Sequence, residues 1–343
     1  MQAQSKFKGP ANCASILDKQ SQVHPLMHVV VTGGAGFIGS HSVEALLAAG
    51  ARVTVFDNFS TGKRENLPQG ERLEIISGDV RERAAVERAL AGATHVLHLA
   101  AQISVRVSIE DPPRSCHDNV LGFVNVLEAA RRSGVKRVVY ASSAAVYGVP
   151  ARLPLDEDAA VGPISPYGLE KVINDQYAQL YRALYGQSSL GLRYFNVYGP
   201  RQDPTSQYAG VISKFAALIA ADRPLTVFGD GGQTRDFVFV KDLARINALA
   251  LANDYCGICN VGTGVSVTLL ELIDALAKCA GKVPAVRFEP PVAGDIRNSA
   301  MAPARLKQVF GAAPATRLAE GLQALLQSTA GPAARDPQAQ TTG

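Results

Sequence analysis

Val29-Val30-Val31-Thr32-Gly33-Gly34-Ala35-Gly36-Phe37-Ile38-Gly39 decides the fold. A β-branched run leads straight into a glycine-rich turn, and a helix-like stretch, Phe37–Ala49, follows it. Each spaced glycine answers a steric demand. Gly33 permits the tight turn, Gly36 lets main chain approach a pyrophosphate, and Gly39 lets the helix pack close to the strand. The helix amino end then offers free N–H groups and a positive dipole end to phosphates. Asp57 closes the next strand 18 residues past Gly39. An acid there hydrogen-bonds both ribose hydroxyls and repels a 2′-phosphate, which selects NAD over NADP. Lys63 and Arg64 read as solvated loop charges rather than 2′-phosphate ligands.

Outward from this turn, short β-branched runs alternate with longer helical stretches. Strands are expected at Val29–Thr32, Val53–Asp57, Leu73–Ile76, His95–Leu99, Arg137–Ala141 and Leu190–Tyr194, and helices at Phe37–Ala49, Ala84–Leu90, Ser115–Ser133 and Tyr167–Tyr185. Apolar strands separated by helices predict an α/β fold, a doubly wound parallel sheet covered on both faces. After about residue 196 the alternation loosens around a Gly229–Gly232 turn, and a smaller C-terminal substrate-binding lobe is expected there. The organisation reads as a flexible extension over 1–26, a dinucleotide-binding domain over 27–195, the lobe over 196–330 with some elements returning to the sheet, and a disordered tail over 331–343.

Composition narrows the rest. With 343 residues, 47% hydrophobic and 19% charged, the chain can bury a sizeable core. Its apolar runs, such as Val135–Ala145, fall short of the ~20 residues that cross a bilayer, so no membrane partner is expected. A net charge of +4 does not argue for nucleic acid and suits an anionic small molecule. Five scattered cysteines give no disulfide framework and point to a reducing, cytoplasmic compartment. Cys256-Gly257-Ile258-Cys259 has no neighbouring His and reads as buried cysteines, with no metal site in the chain.

Two further strand ends fit the cofactor crevice. Asp79 is placed to accept the adenine amine, and Leu99-Ala100-Ala101 sets small residues along the cofactor path. The chemistry itself sits in Tyr167-Gly168-Leu169-Glu170-Lys171, opened by Pro166 as a helix start. Tyr167 and Lys171, at i and i+4, share one helix face. A free phenol has a pKa of ~10 and is a poor base at neutral pH. A neighbouring ammonium and a positive nicotinamide ring are expected to pull it down. Ser143 ends the fifth strand, 24 residues before Tyr167, at the sheet edge where such folds do chemistry.

Taken together, these residues resemble the extended short-chain dehydrogenases/reductases, in particular the nucleotide-sugar 4-epimerase group. The match spans most of 27–326. It is carried by Gly33–Gly39, Asp57-Asn58, Ser142–Gly148, Tyr167 with Lys171, Arg193–Pro200, Arg235-Asp236-Phe237 and Gly294-Asp295-Ile296-Arg297. The resemblance implies a Rossmann sheet and bound NAD, and adds Phe37, Ile38, Asn58 and Val80 to the cofactor-binding set. It implies a UDP-hexose substrate. Tyr167 would remove the 4-hydroxyl proton, Ser143 would hold the 4-oxygen, and Lys171 would bind the nicotinamide ribose. The 4,6-dehydratases carry Asp-Glu after the strand-end hydroxyl. Here Ala144-Ala145 follow Ser143, which argues against dehydration.

Substrate contacts are expected from Gln102, Ser104, Ser142, Ser143, Tyr167, Asn196, Val211, Arg235, Arg297 and Ser299. Arg235 and Arg297 suit diphosphate oxygens. Ser299 stands where a bulky Tyr would overlap an N-acetyl group, so UDP-N-acetylglucosamine/UDP-N-acetylgalactosamine interconversion is expected, with UDP-glucose/UDP-galactose as a slower pair. A uronate 4-epimerase, a decarboxylase or a net dehydrogenase of the same branch, and a regulator that only senses NAD, are the competing readings. The resemblance also implies a homodimer paired through the helices around Ser115–Ser133 and Tyr167–Tyr185.

Overall fold

The computed structural model describes residues 27–204, 210–291 and 296–329. Six parallel strands arise before residue 195: β1 (His28–Thr32), β2 (Arg52–Asp57), β3 (Leu73–Ser77), β4 (His95–His98), β5 (Arg137–Ser143) and β6 (Ser189–Tyr194). Three later strands, β7 (Asn196–Tyr198), β8 (Leu225–Phe228) and β9 (Thr234–Phe239), leave the sheet, and β10 (Gly257–Val261) returns as its seventh member. The spatial order is β3-β2-β1-β4-β5-β6-β10. The order reverses between β1 and β4, so the crevice that receives a ligand opens beyond their carboxyl ends.

The strands are buried apolar runs because helices cover both faces. On one side α1 (Phe37–Ala48) packs with α8 (Val240–Leu251) and α10 (Ala304–Phe310) around Val43, Leu46, Leu243 and Ile246. On the other, α2 (Arg83–Ala89), α5 (Gly122–Arg132) and α6 (Pro166–Tyr185) cover Val30, Val96 and Val138. The expected doubly wound α/β sheet is therefore present. The strand that completes it and the helix beside α1 come from beyond residue 196.

A third core belongs to the lobe. It joins Tyr198, Phe215, Val227, Phe239, Leu272 and Leu322 from α7 (Val211–Ala220), α9 (Leu269–Ala280), α11 (Leu318–Thr329) and two small sheets, one of them completed by β11 (Ser266–Thr268) beside β9, the other by β12 (Val286–Glu289) beside β8. The Thr268 hydroxyl and the Glu271 carboxylate close a capping box that starts α9.

The helix expected over Ser115–Ser133 is more complex. After the short α3 (Val105–Glu110), α4 (Pro112–Cys116) widens into a π-turn over His117–Leu121 before α5 begins. Such widened turns are rare inside helices and frequently sit at functional sites. Here the turn carries Asn119 into the interior. The extension over 1–26, the tail over 331–343 and the Gly294-Asp295 half of the last motif in the sequence reading lie outside the described residues.

Candidate active site

The glycine turn leaves no room for a side chain at Gly33 or at Gly39. Gly33 has φ +67°, and a Cβ there would lie 2.7 Å from Ala100 N. A Cβ on Gly39 would lie 2.1 Å from the Gly33 carbonyl oxygen. Phe37 and Ile38 open α1 directly after the glycine turn, with Gly36 as its N-cap. Asp57 at the end of β2 is 7% exposed. Its Oδ2 accepts the Ala35 N–H at 2.9 Å and its Oδ1 the Phe59 N–H at 2.8 Å, which ties the carboxylate to the turn. Each oxygen keeps a further lone pair for a hydroxyl. A close main-chain turn, a helix amino end and an anchored acid fit a dinucleotide.

Beyond β3, Asp79 accepts from Asn58 Nδ2 at 2.9 Å and from Arg81 Nη2 at 2.7 Å. The Arg81 guanidinium holds the Asp79 carboxyl down at about 2. The Val80 carbonyl takes the Asn125 amide at 3.0 Å, which docks α5 on this loop. Across the crevice the Thr32 hydroxyl, paired with His98 Nδ1 at 2.8 Å, takes the N–H groups of Leu99 and Ala100. Burial pushes His98 down to about 3, so its ring is neutral. The Leu99-Ala100-Ala101 turn is thereby pinned to β1.

Helix α6 delivers the reactive pair. Ser165 caps it by accepting the Gly168 N–H at 3.1 Å, and Pro166 occupies the first turn. Ser108 in α3 takes the Tyr167 N–H at 3.1 Å. The Lys171 ammonium lies 5.7 Å from the Tyr167 ring centroid and donates to the Ala141 carbonyl at 3.1 Å. The Ser143 side chain acts on the Tyr167 phenol and draws its proton affinity down. So the strand-end Ser, the Tyr and the Lys meet at the carboxyl edge of β5, as their spacing anticipates. The electrostatics differ from expectation: burial raises the phenol above its ordinary value, and Ser143 opposes this only in part. Burial brings Lys171 down to about 8, against the attraction of Asp175 and Glu170.

Other expected contacts have different tasks. The Ser104 hydroxyl, 3% exposed, caps α3 by accepting the Val107 N–H at 3.0 Å. Gln102 spends its amide on the Ser104 carbonyl and the Ser115 hydroxyl, while its main chain is bracketed by Asn119. Ser142 is 2% exposed, beneath Ser143. Arg297 forms a 2.7 Å ion pair with Asp230 at the lobe surface. Asn196 donates to the Asp236 carbonyl at 3.4 Å, and Arg235 Nη1 donates to the carbonyls of Thr234 and Arg297. Ser299 N–H is held by the Thr234 carbonyl at 3.2 Å, and Val211 opens α7. Thus Asn196, Arg235, Arg297 and Ser299 gather around β9, whereas Gln102 and Ser104 serve the junction of β4 with α3 and α4. Of the two cysteines in Cys256–Cys259, Cys259 is buried, but Cys256 is partly exposed.

Sequence reading missed two polar clusters. Glu170, 3% exposed, accepts from Ser115 at 2.9 Å and Asn119 at 2.6 Å. Asp175 pairs with Arg193 across α6 and β6. The i+4 step from Lys171 to Asp175 was the available signal for the second.

A doubly wound sheet with a glycine-lined dinucleotide crevice and a Ser-Tyr-Lys group at its edge defines a nicotinamide-dependent enzyme of the short-chain dehydrogenase type. The family model described as "NAD dependent epimerase/dehydratase family" matches residues 29–262, and the chain belongs to that family. It is 41% identical over 309 residues to a UDP-glucose 4-epimerase of Mycolicibacterium smegmatis, covering 86% of this chain and 96% of that one. Among solved structures it is 44% identical to the UDP-glucose 4-epimerase of Thermus thermophilus in complex with NAD, with TM-score 0.82 over 89% of this chain and 100% of the other. It is also 36% identical to a UDP-N-acetylglucosamine 4-epimerase from Methanobrevibacter ruminantium in complex with UDP-N-acetylmuramic acid, with TM-score 0.85 over 88% and 98%. Among the described residues no helix is long and apolar enough to cross a membrane.

Proposed function

We propose that this protein interconverts UDP-N-acetylglucosamine and UDP-N-acetylgalactosamine by inversion at C4, with UDP-glucose and UDP-galactose as a slower pair, and that it works as a homodimer. The coarser statement is that it is an isomerase, an NAD-dependent UDP-sugar 4-epimerase; family membership and the closely similar relatives carry that. The observation behind the reaction is the meeting of Ser143, Tyr167 and Lys171 at the crevice edge.

Gly33, Gly36, Gly39, Asp57 and Lys171 would hold NAD, which when bound supplies a hydride acceptor that later returns the hydride. Tyr167 takes the proton of the 4-hydroxyl. Ser143 donates a hydrogen bond to the 4-oxygen as charge develops there. The ammonium of Lys171 favours the phenolate. Turning the sugar about its diphosphate link presents the other face of C4. Asn196, Arg235, Arg297 and Ser299, grouped around β9, support the nucleotide end, and the short Ser299 side chain supports an acetamido substituent. The second copy is supported by a stripe of exposed Leu169, Leu180 and Leu184 along α6.

The test offers purified protein both pairs of UDP-hexoses without added NAD and separates the 4-epimers by chromatography. Conversion of the acetylated pair supports the reading. Turnover of UDP-glucose alone sinks the acetamido assignment, and carbon dioxide release from UDP-glucuronate would mark a decarboxylase instead.

A further inference from the structure

Asp175 has no part in the reaction above, yet it stands one turn beyond Lys171 on the face of α6 that carries Tyr167. Residues at i, i+4 and i+8 stack along one side of a helix. Asp175 is 8% exposed. Its Oδ2 takes Arg193 Nε at 3.1 Å and Nη2 at 3.0 Å, and its Oδ1 takes the Tyr140 hydroxyl at 3.1 Å. Arg193 is set opposite Ser142 by the register of β5 and β6. Its Nη1 donates to the Tyr147 hydroxyl at 2.9 Å, which donates to Asn260 Oδ1 in β10 at 2.7 Å. Three strands, a helix and the turn after β5 therefore brace one carboxylate.

The brace matters because of what faces Lys171. A buried ammonium is costly unless an opposite charge stands close. Lys171 is 3% exposed. From β5 it meets the Ala141 carbonyl, and from β4 it feels the neutral His98. Its own helix supplies Tyr167, Glu170 and Asp175. Arg193 of β6 stands behind Asp175 and directs that carboxylate. Of these groups only the two carboxylates carry the attracting charge.

We propose that Asp175, braced by Arg193, is a positioning residue whose charge keeps the buried Lys171 an ammonium beside Tyr167, with Glu170 acting from the other flank. The inference rests on Tyr167 and Lys171 being the reactive pair. An ion pair that served the fold alone would change stability and leave the proton affinity of Lys171 untouched.

The experiment labels the full-length protein with [ε-13C]lysine and follows the Lys171 resonance, identified by its absence in Lys171→Arg, across a pH titration. The parent is expected to titrate near pH 8. Asp175→Asn should lower that midpoint by about one unit or more, and Glu170→Gln should lower it as well. The alkaline limb of the turnover–pH profile should move down with it. Should Asp175→Asn fail to fold because it strands Arg193, Glu170→Gln decides, since its amide oxygen still accepts from Ser115 and Asn119. A midpoint that stays put in every folded variant overturns the inference, whatever happens to the rate. If the parent epimerises no UDP-sugar, the proposed function falls, and the lysine titration still decides this point.

Discussion

Lys171 Nζ donates to the main-chain carbonyl of Ala141 at 3.1 Å, so the helix that carries the phenol is bolted to the strand that carries Ser143. The bond runs between α6 and β5 at the level where Tyr167 meets Ser143, and it leaves the ammonium 5.7 Å from the phenol ring. One side chain thus fixes geometry and charge together.

Replacing it removes both contributions at once. Lys171→Met should reduce turnover by roughly 10²-fold or more, the usual range for loss of acid–base support. Tyr167→Phe should remove turnover while the protein still binds NAD. Initial rates on a UDP-hexose, with NAD content read by chromatography after denaturation, check both. A Tyr167→Phe enzyme with parental rates would dismiss the phenol as the base.

The glycine cradle makes a steric prediction. A methyl at Gly39 would meet the Gly33 carbonyl at 2.1 Å, too close for any local adjustment, so α1 must move away from β1. Gly39→Ala should lower NAD affinity at least tenfold, as expected when the phosphate-facing end of the helix is displaced. Isothermal titration of NAD into the stripped protein measures it. A methyl at Gly70, where nothing lies within 4 Å, is the matched control and should leave affinity unchanged.

Much of this was legible because the relevant signals are local. Gly33–Gly39, Asp57, and the Tyr167–Lys171 step each lie within one element or at one strand end, and their spacing maps directly onto backbone geometry. What the sequence hid is tertiary. Asp175 and Arg193 are separated by a helix end and a strand, and their pairing depends on the β5–β6 register. Ser104 looked like a pocket residue because it follows β4, but a hydroxyl before a short helix is more simply a cap. The π-turn at His117–Leu121 has no periodicity signal, and it aims Asn119 at Gln102 and Glu170. Arg297 met Asp230 across two loops that sequence distance kept apart.

His98 sets an acid limit on stability. Its folded-state pKa, about 3, lies below the ~6.5 of an unfolded histidine. Its contribution is therefore complete above the unfolded value. It is lost as pH falls from about 6.5 toward 3, because the unfolded chain binds the proton first. Each pH unit in that window should remove at most about 1.4 kcal/mol. His95, brought down to about 4, adds in the upper part of the same range. Urea denaturation between pH 7 and pH 4 should show this slope, and His98→Gln should flatten it while lowering stability at pH 7 through the lost bond to Thr32. A parental slope in that variant would rule out His98 as its source.

The exposed face of α6 gives the last prediction. Leu169, Leu180 and Leu184 are 50%, 49% and 61% exposed, and Ile173 and Tyr177 lie between them on the same stripe. The three leucines leave apolar area in water that a second α6 and its neighbouring α5 can cover by helix packing. All three are about half exposed or more, so a charge placed there should act on assembly before chemistry. Sedimentation of the parent at micromolar concentration should give twice the chain mass. Leu180→Glu with Leu184→Glu should give the chain mass with the helical circular-dichroism signal preserved. A parent that sediments as a single chain would refute the homodimer outright, and a double variant that stays paired would move the interface off this stripe.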